Sequence, residues 1–264
     1  MSVDVTSGLT YLLSHLSIAC LERRPHKQRE DSMTRRLMMA VTLLLAGLLL
    51  AACMPVTSAS TVTLDNGVVG TLQRPLGVDV PQKAPVVLLL HGFGSSKDEV
   101  GGMYARLADA LAQRGVGSLR IDFRGFGKSD GDTGSTTVGG QVEDAEAAYA
   151  YLAGLDWVDP QRIGMMGFSL GGGDAIVTAG THPDWFKSMA TWSSVGDMTK
   201  DFTEELGQEA FDTAAEKGVV GLDLGWRSIV LKKDFFESLG QYDLMDLVSK
   251  YPGPYLAVAG DQDF

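Results

Sequence analysis

Ser169 has the surroundings that a serine nucleophile needs. It is the third residue of the motif Gly-Phe-Ser-Leu-Gly at 167–171. The segment 162–166 before the motif is short and mostly apolar, as in a buried strand, and the small apolar residues at 172–177 suit a helix packed closely on a sheet. In this context the turn strains the backbone of the serine and lifts its hydroxyl clear of the sheet, and a side chain at either glycine would collide with the turn. The pattern therefore predicts a catalytic serine at position 169.

A second segment suited to the same chemistry is the loop 91–94, His-Gly-Phe-Gly, which follows the continuous apolar run 85–90. Such a run is typical of a strand buried on both faces of a parallel sheet. Acyl transfer passes through an oxyanion that prepositioned backbone N–H groups stabilise. In a G-x-S-x-G hydrolase these donors belong to the residue after the serine and to an upstream strand-to-helix loop, which predicts Leu170 and Phe93 as the oxyanion hole. His91 has two interpretations, the catalytic base or a residue that orients this loop, and its position beside the loop favours the second.

The elements that must position these residues alternate between strand and helix. Asn66 and Gly67 separate two β-rich runs, which indicates a hairpin. Apolar residues recur along one helical face within 104–111, and Gly115 ends that helix. This order predicts an α/β fold with a parallel sheet and right-handed crossovers. The alternation continues with a strand at 116–123, a helix at 141–155 and a strand at 186–194.

Together these motifs resemble those of the α/β-hydrolase superfamily. Within it, the sequence is similar to serine esterases and peptidases that include bacterial cinnamoyl (feruloyl) esterases, monoglyceride-lipase-like enzymes and serine-aminopeptidase-like members. The resemblance extends from about Val62 to the last residue, and it rests on the segments 91–94, 121–131, 167–172 and 255–263.

The resemblance implies an α/β-hydrolase fold, which is a doubly wound, mostly parallel sheet with a cap inserted after the nucleophile half, at about 195–251. It also implies a serine hydrolase that cleaves carboxylic esters through an acyl-enzyme intermediate, with a small-molecule ester as substrate. Peptidase and lysophospholipase activities use the same triad chemistry and stay open as alternatives.

The resemblance also indicates the acid of a catalytic triad. The apolar segment 256–259 predicts a late strand, and Gly260-Asp261-Gln262-Asp263 follows it. In similar hydrolases the acid is the aspartate three residues after such a glycine, which makes Asp263 the candidate and Asp261 the alternative. A third interpretation is that both aspartates only cap the strand end.

The catalytic histidine has no candidate in the expected place. The triad order in this fold is serine, acid, histidine, yet the four histidines are His15, His26, His91 and His182, and none follows Asp263. The first two precede the predicted domain, and His182 is interpreted as a surface residue in a turn. We therefore expect that the last strand and helix and the general base are missing, and that the chain as given is inactive. A lipid-tethered domain without catalysis is the alternative from a different functional class.

The N-terminal part predicts export and lipid attachment. A basic segment at 34–36 precedes an apolar run at 37–50, which is shorter than a membrane-spanning helix and typical of a signal peptide that starts at Met33. Leu50-Ala51-Ala52-Cys53 resembles the lipobox of bacterial lipoproteins, in which the cysteine carries the lipid. We expect a protein of the bacterial cell envelope outside the cytoplasm, attached to the membrane through Cys53, with a non-cleaved anchor as the alternative. The predicted regions are an upstream extension with signal peptide at 1–52, a tether at 53–60 and the hydrolase domain at 61–264.

Two further groups of residues have competing interpretations. The aromatic residues of the predicted cap either line an acyl or aryl pocket or form the core of the cap itself; they are Trp226, Phe235, Phe236 and Tyr242. The charged residues after the strand 116–123 are interpreted as a structural network of the loop rather than a substrate site; they are Arg124, Lys128 and Asp130.

Composition excludes several other classes of function. The chain has 22 basic and 33 acidic residues, a net charge of −11, and such a surface repels nucleic acids and anionic lipid headgroups. The only cysteines are Cys20 and Cys53, so the predicted domain has no internal disulfide. No metal-ligand cluster or phosphate-binding glycine loop is evident, and we expect no metal and no cofactor. The sequence carries no signal for an oligomeric state.

Overall fold

The structure, a computed structural model, describes Arg36, Met38, Met39 and the residues 59–75 and 83–261. The chain divides into two compact units, Met1–Met54 and Pro55–Phe264. In the first unit the three described residues are helical and exposed. Cys53 and Asp263 lie outside the described residues. No helix in the described part is long and apolar enough to cross a membrane.

The second unit is built on a mostly parallel sheet, as the sequence predicts. The sheet has the strand order β1-β2-β4-β3-β5-β6-β9, in which β1 and β2 form an antiparallel hairpin, β2 pairs antiparallel with β4, and all other pairs are parallel. Two further strands, β7 and β8, form a separate antiparallel ribbon. The strands are β1 (Ala59–Thr63), β2 (Val69–Gln73), β3 (Ala84–Leu90), β4 (Gly117–Asp122), β5 (Val158–Phe168), β6 (Ser188–Trp192), β7 (Val219–Asp223), β8 (Ser228–Lys232) and β9 (Tyr255–Val258).

Seven α-helices lie within the described ranges. Among the crossover helices, α2 and α3 contact each other and the central strands, α7 packs on α3, and α1 packs on β2 and β4. The helices are α1 (Met103–Ala112), α2 (Val138–Ala153), α3 (Leu170–Thr181), α4 (Met198–Leu206), α5 (Gln208–Lys217), α6 (Lys233–Leu239) and α7 (Leu244–Lys250).

The predicted elements agree with the structure except at some of their ends. The α2 helix begins three residues before the predicted start, because the Thr137 side chain accepts a hydrogen bond from the Gly140 N–H (3.0 Å) and caps it. Strand β5 begins at Val158, four residues before the predicted segment, across a polar stretch that contains Pro160. Its pairing with β3 changes register between these residues and Ile163, so this end of β5 lacks the apolar run that identified the rest.

The residues 195–251 form helices and the β7–β8 ribbon, and they pack in two places. The α7 helix lies against α3, so closely that a Cβ on Gly180 would come within 2.6 Å of the Leu247 carbonyl oxygen. The segment before α7 forms its own aromatic cluster and contacts the loop that follows β3. Of the aromatic residues in the predicted cap, Phe235 and Phe236 are buried and Trp226 is 66% exposed.

The β9 strand lies at one edge of the sheet with both of its faces exposed. Leu256 is 60% exposed on this strand. An open groove of about 360 Å³ runs beside it, between α1 and the sheet, and is mostly apolar. Its walls include Leu107, Leu111, Met166, Met189 and Leu256. The predicted apolar face of α1 is therefore divided, because Tyr104 and Ala108 are buried whereas its two leucines are only half-buried along this groove.

Candidate active site

Ser169 occupies a strained turn between β5 and α3. Its backbone dihedrals are φ 53° and ψ −121°, in a region that non-glycine residues rarely adopt and that costs ~1–3 kcal/mol. Hydrogen bonds on both sides hold the turn, since the Ser169 N–H donates to the Trp192 carbonyl (3.0 Å) and its carbonyl accepts from the Gly172 N–H (2.9 Å). The side chain is half-buried, and its hydroxyl has no hydrogen-bond partner among the described residues.

The two glycines of the motif make this turn sterically possible. A Cβ on Gly167 would overlap the carbonyl of Gly171, and a Cβ on Gly171 would overlap the carbonyls of Leu90 and His91. The second overlap involves the end of β3, so the turn packs directly against the neighbouring strand as well as against itself. The predicted collisions are therefore present, and they also fix the distance between the serine turn and the loop 91–94.

The loop 91–94 lies beside Ser169 because β3 and β5 are adjacent parallel strands whose carboxyl ends meet at the same edge. In a doubly wound sheet this is the point where the strand order reverses, which is where ligands bind. A Cβ on Gly92 would come within 3.1 Å of the Ser169 Cβ. The backbone N–H groups of Phe93 and Leu170, the predicted oxyanion donors, have no acceptor within the part of the chain that the structure describes.

His91 is buried beneath this loop and both of its ring nitrogens bond to backbone. Its Nε2 accepts from the Phe123 N–H (3.1 Å), so the proton lies on Nδ1, which donates to the Gly92 carbonyl (2.8 Å). Burial lowers the pKa of His91 to about 4, against its ordinary value of 6.5. The ring is therefore neutral and has no nitrogen free for Ser169, which agrees with the interpretation that His91 orients the loop.

Glu99 holds the same loop from another direction and was missed by sequence reasoning. This residue is buried and has a positive φ of 58°. Its Oε1 accepts a short hydrogen bond from the Gly92 N–H, and its Oε2 accepts from the Ser95 hydroxyl (2.9 Å) and the Val100 N–H (3.0 Å). Nothing in the residues around Glu99 signals that backbone conformation or this partner.

Among the charged residues predicted to form a network after β4, Arg124 forms side-chain bonds, whereas Lys128 and Asp130 contribute backbone hydrogen bonds. The Arg124 Nε donates to Asp144 (2.5 Å), and its Nη2 donates to Glu143 (2.8 Å) and to the Gly140 carbonyl (3.1 Å). Asp122, fully buried at the end of β4, was not predicted to take part. It forms an ion pair with the Lys97 Nζ (2.9 Å) and also accepts backbone N–H bonds, which joins this loop to the segment after the loop 91–94.

Asp174 lies in α3, five residues after the serine, and is a second group that sequence reasoning missed. It is fully buried, and neither carboxylate oxygen has a partner among the described residues. Burial raises the pKa of the Asp174 carboxyl well above its ordinary range, and the nearby Asp144 raises it further. A protonated, neutral carboxyl is the form that such surroundings stabilise.

The remaining described candidates for the triad have no described hydrogen bond to Ser169. His182 caps the C-terminal end of the twelve-residue α3 helix, and Ser169 caps its other end. At ~1.5 Å per residue the two caps are about 20 Å apart. Its ring stacks on Trp185 (3.7 Å between centroids) and its Nε2 lies 2.7 Å from Glu146, so it belongs to a half-buried cluster rather than being a simple surface residue. Asp261 is exposed beyond β9. The described residues contain no group of side chains suited to a metal.

Aromatic side chains from the segment 195–251 cover the outer side of the loop 91–94. The Phe93 ring contacts Phe202 (5.0 Å between centroids) and stacks on Phe235 (5.4 Å). Both of these residues are fully buried, whereas the exposed Trp226 lies against Gly94. Phe235 and Phe236 therefore belong to the core of the segment 195–251, which is one of the two interpretations of the aromatic residues. Among these two residues and Trp226, only Trp226 is exposed beside the loop 91–94.

Comparison with known proteins agrees with this arrangement. The solved structure of Est1E from Butyrivibrio proteoclasticus with ferulic acid bound superposes with a TM-score of 0.63 at 27% identity, covering 77% of this chain and 79% of that one. Among curated relatives, the quorum-quenching protein AidA of Acinetobacter baumannii is 28% identical over 66% of this chain and 56% of its own length. The putative esterase NocK of Nocardia uniformis is 30% identical over 52% of this chain and 42% of its own length.

The chain spans only part of the curated relatives it matches, at 38%, 36% and 56% of the length of three of them. A family profile described as "Serine aminopeptidase, S33" matches residues 81–242, which is more than half of the chain. The matched region contains the loop 91–94, the serine turn and most of the segment 195–251. The protein thus has the α/β-hydrolase fold and belongs to the serine aminopeptidase S33 family of hydrolases.

Proposed function

We propose that the protein is a serine hydrolase that cleaves carboxylic esters through an acyl-enzyme intermediate. The observation that carries the proposal is the juxtaposition of the strained Ser169 turn with two backbone N–H groups that have no acceptor in the described part, those of Phe93 and Leu170. Two free donors beside a nucleophile are what a developing oxyanion requires.

The reaction follows from these positions. The Ser169 Oγ attacks the ester carbonyl while its proton passes to a base, and the carbonyl oxygen becomes an oxyanion held by the two N–H groups. Collapse of this intermediate releases the alcohol and leaves the acyl group on the serine. Water then attacks the acyl-enzyme by the same route and releases the acid. The base takes the proton in the first step and returns it to the leaving alcohol.

We propose that the base is a histidine that the described residues do not include, oriented by Asp263. His91 has both nitrogens engaged and His182 lies at the far end of α3, and neither can reach Ser169. Without such a base, Ser169 would be acylated slowly, because a serine hydroxyl alone is a poor nucleophile at neutral pH.

An exogenous base makes this proposal testable on the chain itself. With p-nitrophenyl acetate as substrate, imidazole added to the buffer should accelerate acetylation of Ser169, seen as an acyl adduct by intact mass spectrometry. Ser169→Ala at the same imidazole concentration corrects for direct hydrolysis by imidazole, and Ser188→Ala, an exposed serine on β6, should behave as wild type. Equal acetylation of wild type and Ser169→Ala would contradict the assignment of the nucleophile.

The ester preference has its own support and its own test. The ferulic acid bound to Est1E and the description of NocK as a putative esterase favour an ester, whereas the family description favours a peptidase. p-Nitrophenyl butyrate and butyryl p-nitroanilide differ only in the atom that leaves, and alanyl p-nitroanilide adds the free amine of an aminopeptidase substrate. We expect the ester to be turned over faster, and a preference for alanyl p-nitroanilide would support the peptidase alternative.

We also propose that the protein is lipid-anchored through Cys53 in the bacterial cell envelope. The support is the sequence 50–53 and the short apolar run before it. Cys53→Ala expressed in a bacterial host should lose incorporation of labelled palmitate and leave the membrane fraction. Cys20→Ala, which changes the only other cysteine, is the matched control. Unchanged fractionation of Cys53→Ala would rule out the anchor.

A further inference from the structure

Arg227 reaches from the β7–β8 ribbon to the loop beside Ser169. Its Nη1 donates to the Gly94 carbonyl (2.5 Å), across 133 positions of sequence. The guanidinium also lies over the Phe126 ring, 5.8 Å from its centroid. The turn that presents Arg227 is closed by two hydrogen bonds, from the Leu224 N–H to the Arg227 carbonyl (2.9 Å) and from the Gly225 N–H to the Asp223 side chain (2.9 Å).

The contact between this turn and Gly94 is tight. Gly94 has a positive φ of 67°, and a Cβ at that position would come within 3.1 Å of the Trp226 ring and 3.8 Å of the Leu224 side chain. Because a peptide unit is planar, the Gly94 carbonyl and the Ser95 N–H move together. The Ser95 N–H donates to the Gly92 carbonyl (3.3 Å), and that carbonyl shares a peptide plane with the N–H of Phe93, a proposed oxyanion donor.

Apart from the Arg227 contact, the described side-chain hydrogen bonds to the backbone of the loop 91–94 come from its inner side. His91 binds the Gly92 carbonyl and Glu99 binds the Gly92 N–H, and both belong to the same strand-to-helix connection as the loop. The His91 bond acts on the Gly92–Phe93 peptide, which carries the Phe93 N–H, but neither bond reaches the Gly94–Ser95 peptide. The described hydrogen bonds of the Gly94–Ser95 peptide are the Arg227 contact and a long bond from the Ser95 N–H to the Gly92 carbonyl (3.3 Å).

We propose that Arg227 is a positioning residue for the oxyanion hole, which holds the outer side of the loop 91–94 so that the Phe93 N–H points at the reacting carbonyl. The proposal rests on the proposed function of Ser169 and adds a role for the segment 195–251. Through Arg227 that segment sets the geometry of catalysis from outside the sheet, in addition to covering the site.

The test compares Arg227 with a second cation of the same ribbon. Arg227→Met keeps an apolar side chain but removes the guanidinium, with both its hydrogen-bond donor and its contact with the Phe126 ring, and Arg227→Lys keeps a donor. Lys232→Met is the matched control, because the Lys232 Nζ bonds to Asp132 (3.1 Å) and Ser135 (2.6 Å) and does not contact the loop 91–94. Two measurements are made, amide hydrogen exchange of residues 91–95 and the rate of Ser169 acetylation in imidazole.

We expect Arg227→Met to raise the amide hydrogen exchange of residues 91–95. It should also slow acetylation of Ser169 about 10-fold or more, while the substrate concentration for half-saturation stays unchanged. This loss is smaller than the 10²–10³-fold loss seen when an oxyanion donor is deleted outright. Arg227→Lys should recover part of the rate, and Lys232→Met should leave both measurements as in wild type. Unchanged exchange and rate in Arg227→Met, or equal effects of Arg227→Met and Lys232→Met, would overturn the proposal. The proposed function fails separately, if wild type and Ser169→Ala are acetylated equally.

Discussion

Ser169 follows β5, and Asp261 follows β9, which lies two strands away in the sheet, yet their surroundings differ. The serine turn is held by backbone hydrogen bonds and packs against the end of β3, and the loop beside it is bonded from the inside by His91 and Glu99. The β9 strand has exposed side chains on both faces and an open apolar groove beside it. The proposed nucleophile and oxyanion donors are thus held by described residues, whereas the end of β9, which precedes the proposed acid, is not enclosed by them.

The largest effect on stability is expected from a substitution in the serine turn. Gly171→Ala places a methyl group on the carbonyls of Leu90 and His91, which are backbone atoms that cannot move aside. We expect the free energy of unfolding to fall by ~3 kcal/mol or more, with loss of Ser169 acetylation. Gly221→Ala in β7, where the added methyl would meet nothing within 4 Å, is the control. Chemical denaturation measures both variants, and similar values would show that the turn tolerates a side chain.

The buried histidine should make the loop 91–94 sensitive to acid. The pKa of His91 is depressed in the folded state to about 4 and returns to 6.5 on unfolding, so the unfolded chain binds the extra proton between these values. Stability from this residue is complete above pH 6.5 and is lost as the pH falls toward 4, by ~3 kcal/mol in total.

Denaturation curves from pH 7 to 4 test this expectation for His91. His91→Gln should flatten the dependence, whereas His182→Gln, which changes the half-buried histidine at the end of α3, should leave it in place. A slope that persists in His91→Gln would assign the acid sensitivity to other groups.

The buried carboxyl of Asp174 should change the free energy of unfolding less than His91 does, and with the opposite dependence on pH. The folded-state pKa is raised, so stability from the neutral form is present at low pH and is lost as the pH rises above the ordinary value of 3.8 toward the folded pKa. Asp174→Asn removes the cost of ionising a buried carboxyl. We expect ~1 kcal/mol or more of added stability at pH 7, which corresponds to a melting temperature about 2–4 °C higher, and a smaller gain at pH 4. The exposed Asp184→Asn serves as control. A gain equal at both pH values would show that ionisation of Asp174 is not the cause.

The exposed edge predicts the smallest effect on stability. Leu256→Ala on β9, where the side chain is 60% exposed, should change the free energy of unfolding by less than about 0.5 kcal/mol. Leu88→Ala on the central β3 strand removes a fully buried side chain of the same type and should cost ~2–5 kcal/mol. Comparable losses in the two variants would mean that β9 is enclosed in solution as β3 is.

Much of the sheet and the serine turn followed from local patterns in the sequence. Apolar runs identified β3 and β4, Asn66-Gly67 located the first hairpin, and the two glycines around Ser169 identified the turn, because each of these depends on residues next to one another in the chain. The polar start of β5 was missed because it follows a register shift in the pairing with β3, and the early start of α2 was missed because a side-chain cap sets it.

The groups that support the site were harder to predict, for a physical reason. Glu99, Asp174 and Arg227 are ordinary polar residues whose roles arise from burial or from contacts across the fold. The Arg227 contact spans 133 positions, and nothing in the neighbouring residues encodes it. The burial of Asp174 depends on the neighbours of α3, which a helical pattern alone does not specify.

The contact between the Gly171 position and the end of β3 has a consequence for the order of folding. The nearest atoms on β3 belong to residues some eighty positions earlier in the chain, and β4 pairs on the other side of that strand. The left-handed conformation of Ser169 cannot be held until β3 and β5 have paired across this long loop, and contacts of such separation form slowly. The strained backbone conformation of Ser169 should therefore form late during refolding, after the helices and the β1–β2 hairpin.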